Sequence, residues 1–340
     1  MVKLFRYYLL YDEFKATETS KTIFKILIEP ILPIISGKSR LIIMPDPRIS
    51  DLPFEALENN EGEFLIEKYD ISYVQSYTIL NLLQNRKYEH PRKPLIAFGG
   101  VNYEMNNQES DTQPENLEQN IKDALFTGLS TRGSLRKFYT SLGYRNFPNI
   151  PGSIKEVESI SQIINESKII TGNSACESAI KKMSLEGELK KYEMIHFATH
   201  GIIVPDYPEL SSLVLSYDLY NPDNEDGFLR TSEITELDID ADFVNLSACE
   251  TGRGKVYSGE GVVGLTQAFM LAGANSVSVS LWPIADDATS YFMTSVYHKI
   301  ADGIDYAKAI NDTKRDFIWG KYGPEYKKLF YWAPFVYYGY

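Results

Sequence analysis

At 340 residues and 44% hydrophobic content, the chain has enough apolar material for one extended domain or two abutting ones, because single cores stop growing at roughly 250–300 residues. A formal charge of -12 at pH 7 leaves no basic footprint and argues against direct nucleic-acid binding. The longest apolar run, Ile23 to Ile35, is broken by Lys25, Glu29, Pro30 and Pro33, so no membrane span is expected.

Residues 1–37 read as a helical segment, with Tyr7, Leu10, Phe14, Ile23, Phe24, Leu27 and Ile28 at spacings near three and four until the prolines intervene. Arg40 to Asp46 is an apolar strand running into a turn, followed by Leu52-Pro53-Phe54-Glu55-Ala56-Leu57. Ile71 to Tyr77 alternates at period two ahead of a helical stretch at Ile79, Leu80, Leu82 and Leu83, and Leu95 to Phe98 is a strand ending at Gly99-Gly100. Residues 104–149 read as an insertion or linker: a polar loop to about Pro114, a short helix over 116–129, then basic and aromatic sequence without periodicity, taken together as a surface excursion, with an autoinhibitory or processing segment as the alternative.

A helix after Pro151, a strand at Ile169–Thr171 and a helix over 175–184 restore the strand and helix rhythm. Ser174 stands at capping-box spacing from Glu177, and Cys176 is expected inside that helix, packed in the core. Leu213–Ser216 and Gly227–Arg230 flank a turn cluster and read as a hairpin. A helix through Val263, Leu265, Ala268, Phe269 and Leu271 is stopped by Gly273, the strand Ser276–Leu281 follows, and helices come at about 286–302 and 303–317. Alternation of this kind predicts α/β architecture with a mostly parallel sheet and helices on both faces.

Three apolar runs stop at reactive or small polar residues: Ile195 to Gly201, Phe243 to Gly252, and Ser278 to Pro283. Strands of an open parallel sheet deliver chemistry at their carboxyl ends in this way. A thiol with an unperturbed pKa of about 8.5 needs a base or an electropositive setting to act as a nucleophile. His200 could supply that to Cys249, and the backbone N–H groups of Gly201 and Cys249 could form an oxyanion hole. On spacing alone, a buried cysteine and a satisfied histidine outweigh such a dyad. His196 and His200 stand four apart in a strand-like run with no third ligand nearby, so no metal is expected and His196 reads as a core or supporting residue. Asp286, Asp287 and Glu250 are candidates for lining a pocket, with helix capping the plainer role for one of the two aspartates. There is no P-loop, G-x-G-x-x-G, H-E-x-x-H or G-x-S-x-G motif, so no cofactor is expected. Two cysteines, Cys176 and Cys249, are too few for a disulfide framework or a cysteine-based zinc site. Met1 to Arg6 do not open a signal-peptide core, and a cytoplasmic location is the expectation.

The ordered set of motifs resembles the CHAT domain, a caspase-like module of clan CD cysteine peptidases. The matching blocks are His196-Phe197-Ala198-Thr199-His200-Gly201, Leu246-Ser247-Ala248-Cys249-Glu250-Thr251-Gly252, Gly259-Glu260-Gly261, Ala268 to Ala274, Val279 to Pro283 and Tyr331 to Phe335. Earlier blocks match at Met44-Pro45-Asp46, Leu52 to Leu57 and Pro151-Gly152-Ser153 with Glu156. The resemblance implies a caspase-like catalytic half over 150–340, preceded by a smaller, related pseudo-caspase-like α/β half over 38–149. It implies a cysteine endopeptidase with His200 as general base and Cys249 as nucleophile, and a primary pocket near Ser280 and Trp282, where Asp286 or Asp287 would favour a basic side chain. It further implies a protein substrate such as a gasdermin or another effector, a bacterial defence or cell-death setting, and an activating partner or self-association. A catalytically silent interaction scaffold on the same fold is the alternative.

Overall fold

The computed structural model describes residues 1–88, 90–104, 138–144, 146–204, 206–218, 225–247, 249–250 and 260–340. Its longer helices are α1 (Val2–Tyr11), α2 (Glu13–Leu27), α3 (Tyr77–Asn85), α4 (Pro151–Ile163), α5 (Glu177–Leu185), α6 (Glu260–Ala272), α7 (Asp286–Ala301) and α8 (Tyr306–Ile318). The strands are β1 (Arg40–Ile43), β2 (Asp70–Tyr73), β3 (Lys93–Gly99), β4 (Lys168–Thr171), β5 (Tyr192–Phe197), β6 (His200–Ile202), β7 (Ser212–Val214), β8 (Phe228–Arg230), β9 (Phe243–Leu246), β10 (Cys249–Glu250), β11 (Ser276–Ser280) and β12 (Phe335–Gly339). Eight of them form one sheet in the order β1-β2-β12-β11-β9-β5-β3-β4, and four form a second in the order β10-β6-β7-β8.

Within the large sheet every pairing is parallel except β11 with β12. The described strands of segment 38–149 join this sheet: β1 and β2 extend it beyond β12, and β3 lies between β5 and β4. Side-chain alternation divides the layers. His196 and Asn245 turn to Tyr297 and Met293 of α7, while Phe197 stacks on Phe98 and packs against Phe269 of α6 on the opposite face. The prolines at 30 and 33 tighten the chain after α2 into short turns, Glu29–Ile31 and Leu32–Ile35.

The segment Leu52 to Leu57 folds as a 3-10 turn over Phe54–Ala56 that sends Glu55 inward. Its carboxylate meets the fully buried Lys314 of α8 at 2.5 Å and accepts a hydrogen bond from Tyr73 of β2. Burial pushes the Lys314 ammonium down despite that partner. Arg6 of α1 donates to Asp51 at 3.0 Å and to the carbonyl of Leu281 at 3.1 Å, which fastens α1 to the chain just past β11.

Three expectations need correction. The Ser174 capping box does not form: Gly172–Ser174 is a 3-10 turn and α5 starts at Glu177, with Cys176 as its N-cap. Cys176 is buried, as expected, but stands outside the helix. The described end of the insertion is no surface excursion, because Phe138, Tyr139, Tyr144 and Phe147 are buried in a second core with Val101, Tyr103, Ile202, Val214 and Phe228. The polar loop near 114, the helix expected over 116–129 and the turn cluster within 219–224 lie outside the described residues.

Glu177 is drawn inward by two partners. Its Oε2 accepts the Gly227 N–H at 2.9 Å, and Lys181 stands 2.7, 2.6 and 2.8 Å from Glu177, Glu225 and Glu233. Burial, reinforced by Asp226, Glu225 and Glu233, holds the Glu177 carboxyl well above the usual carboxylate range. A carboxyl raised in the folded state keeps its proton while the unfolded chain has lost it. Stability therefore falls as pH rises through and beyond the ordinary carboxylate range.

Urea unfolding from pH 5 to pH 8 should accordingly show the wild type losing more stability than Glu177→Gln across that window; parallel profiles would contradict the assignment. Gly273, which ends α6, has φ +125° and leaves only 1.7 Å between an added Cβ and the Ile239 carbonyl oxygen. Gly273→Ala should thus lower stability by more than about 1–2 kcal/mol, the cost of a left-handed backbone alone, read as the urea midpoint.

Candidate active site

β5 and β9 run side by side with Phe197 opposite Leu246, and β6 and β10 run side by side with His200 opposite Cys249. Each chain thus takes the same three residues (200 − 197 and 249 − 246) to cross from the large sheet to the small one. Equal crossings preserve the register, so the pairing that aligns the core strands also aligns His200 with Cys249. Parallel neighbours lie about 4.8 Å apart, which sets the two backbones at contact distance. Gly201 and Glu250 are the next pair in the same ladder.

His200 is 5% exposed and is held at both its main chain and its ring. Its backbone N–H donates to the Tyr103 hydroxyl at 3.0 Å, and its Nε2 lies 2.6 Å from the carbonyl oxygen of Pro148. A carbonyl accepts only, so Nε2 carries a proton and Nδ1 is the basic nitrogen of the neutral ring. Tyr103 and Phe147 pack on the imidazole with ring centroids at 4.6 and 5.8 Å. Burial pushes the Tyr103 hydroxyl up, so it stays a neutral phenol.

His196, four residues earlier, has a different task. Its Nδ1 accepts from Asn245 at 2.9 Å and lies 3.0 Å from the Tyr297 hydroxyl. Its Nε2 is 3.0 Å from Glu156 of α4, off the hydrogen-bond axis. The ring therefore ties β5 to β9, α4 and α7 beneath the site, the supporting role its place in the strand suggested.

The other predicted pocket residues lie one strand further on, since β11 borders β9 on the side away from β5. Ser280 donates to the carbonyl of Trp282 at 2.7 Å, and the Trp282 indole N–H donates to the Phe330 carbonyl at 2.9 Å. Both side chains are buried. Asp286 opens α7. Asp287, in the first turn, accepts from Tyr326 at 2.7 Å, and that bond together with the Ala288 N–H holds its carboxyl below the ordinary range. The structure brings His200, Gly201, Cys249 and Glu250 into one ladder and fastens Trp282 and Asp287 to the segment near residues 326–330. Reading the sequence missed Tyr103, Phe147, Pro148 and Asn149. The signal was there: Phe138, Tyr139, Tyr144 and Phe147 form too apolar a run for a segment meant to stay in water.

Among the described residues no helix is long and apolar enough to cross a membrane. Tetratricopeptide repeat protein 28 of Homo sapiens is 27% identical over 118 residues, 35% of this chain and 4% of that protein, and its Mus musculus counterpart is 29% identical over 87 residues, 26% of this chain and again 4% of that protein. The chain therefore spans a small fraction of the length of these relatives. Among solved structures, the Saccharomyces cerevisiae separase–securin complex superposes with a TM-score of 0.47 at 16% identity, over 88% of this chain and 15% of that one. The sequence pattern of the CHAT domain matches residues 17–340, and the chain belongs to the CHAT domain family.

Proposed function

We propose that the chain is a cysteine endopeptidase in which Cys249 attacks and His200 serves as general base. The observation that carries this reading is the parallel pairing of Cys249 with His200, fixed by the register of β5 and β9 behind it. Nδ1 of His200 takes the thiol proton, and the thiolate sulfur bonds to the scissile carbonyl carbon. The N–H groups of Gly201 and Cys249 receive the developing oxyanion. Collapse of that intermediate breaks the C–N bond, and the imidazolium returns its proton to the leaving amine. Water, deprotonated by the same imidazole, then releases the acyl group and restores the thiol.

The substrate in this reading is a protein segment entering beside β11, with Ser280, Trp282, Asp286, Asp287 and Glu250 around its primary side chain. Asp287 is already engaged by Tyr326, so selection of a basic residue rests first on Asp286. An effector protein of a bacterial defence or cell-death pathway, such as a gasdermin, is the proposed class of target. Activity is released by a partner or by self-association.

A peptidyl electrophile that alkylates thiols tests the chemistry directly. Cys249 should label in preference to Cys176, which is buried, and His200→Ala should slow that labelling by roughly 100- to 10,000-fold, the range of general-base assistance. Labelling at an unchanged rate in His200→Ala would overturn the role of the base. A Cys249 that stays inert with and without activating partners, in a folded protein, would favour the silent scaffold.

A further inference from the structure

The contacts around His200 close into a circuit. From its backbone N–H the path runs to the Tyr103 hydroxyl, then from the Tyr103 N–H to Asn149 Oδ1 at 3.3 Å, through the covalent link to Pro148, and from the Pro148 carbonyl back to His200 Nε2. Tyr103 follows β3 and Asn149 precedes α4, so the circuit joins the two ends of one long excursion to both the main chain and the ring of a single residue.

Each link answers a freedom that the sheet leaves open. Strand pairing fixes the backbone of His200 but not the rotation of its imidazole, nor which nitrogen carries the proton. The Pro148 carbonyl decides the proton. Yet Pro148 and Asn149 are exposed and lie in irregular chain, with no ladder to aim that carbonyl. The Asn149 side chain supplies the aim by accepting from Tyr103. Tyr103 is itself closely packed, being 1% exposed and set against both the imidazole and Phe147.

We propose that Tyr103 and Asn149 are positioning residues for the base: they hold the Pro148 carbonyl against Nε2, so that His200 presents Nδ1 as its single basic nitrogen. The inference rests on His200 acting as general base. Tyr103 sets the height of the His200 main chain and Asn149 sets the direction of the carbonyl. Neither touches the substrate.

The test uses the full chain labelled with 15N in its histidine rings, with the His200 signals assigned by their loss in His200→Gln. In the wild type near pH 7.5 the two ring nitrogens of His200 should show the wide shift separation of a fixed Nε2–H tautomer. Asn149→Ala alters an exposed side chain, so the fold is expected to survive it. The separation should narrow toward the average of two tautomers, and Cys249 labelling should slow by roughly 10- to 100-fold, as expected for a displaced reacting group. Asn149→Asp keeps an acceptor oxygen and should restore both readings. Tyr103→Phe should narrow the separation as well. A wild-type nitrogen pattern in both Asn149→Ala and Tyr103→Phe would overturn the inference. Failure of the underlying reading looks different, since His200→Ala would then label like wild type whatever the nitrogen pattern of the other variants.

Discussion

The site depends on one register. Phe197 of β5 stands opposite Leu246 of β9 in the large sheet, and three residues later on both chains His200 stands opposite Cys249 in the small one. A slip of one residue in the first pairing would invert every side chain of the strand, taking Phe197 from its stack on Phe98 and His196 from its contact with Tyr297. Packing on both faces of the sheet therefore guards the juxtaposition in front of it. The crossing of equal length converts that guard into alignment of two chemically reactive residues.

Polar groups sharpen what apolar packing begins. His196 Nδ1 gathers Asn245 and the Tyr297 hydroxyl, which joins β5 to β9 and α7, and Glu156 of α4 lies 3.0 Å from its Nε2. The Glu55, Lys314 and Tyr73 contacts perform the same service at the β2 end of the sheet. The small sheet packs on Phe138, Tyr139, Tyr144 and Phe147 in the second core, and the ion pairs of Lys181 gather Glu177, Glu225 and Glu233 beside it. The candidate site thus sits where the large sheet meets a layer held by aromatic side chains and hydrogen bonds.

Much of this was legible in the sequence, for physical reasons particular to each element. β5 and β9 announced themselves as mostly apolar runs because strands of a parallel sheet are covered on both faces, β11 as an alternation of serine and valine, and the polar residues closing them marked the candidate site. Gly273 read as a helix stop and proves to have no room for a side chain. The Ser174 cap misled because its spacing fits a motif that Cys176 and the inward pull on Glu177 override. The merging of β1, β2 and β3 into one sheet with the later strands was hidden, since periodicity reports faces and not neighbours. Pro148 and Asn149 were hidden more deeply: their contribution is a backbone carbonyl and a loop contact, for which a residue type gives no signature.

Whether Cys249 and His200 work as a pair is tested most directly by a crystal structure of the full chain after reaction with a peptidyl ketone electrophile. The expected result is a covalent bond to the Cys249 sulfur, His200 Nδ1 within hydrogen-bond reach of that sulfur, and the ketone-derived oxygen facing the Gly201 N–H. An adduct on Cys176, or one on Cys249 with the His200 ring turned away toward other partners, would contradict it.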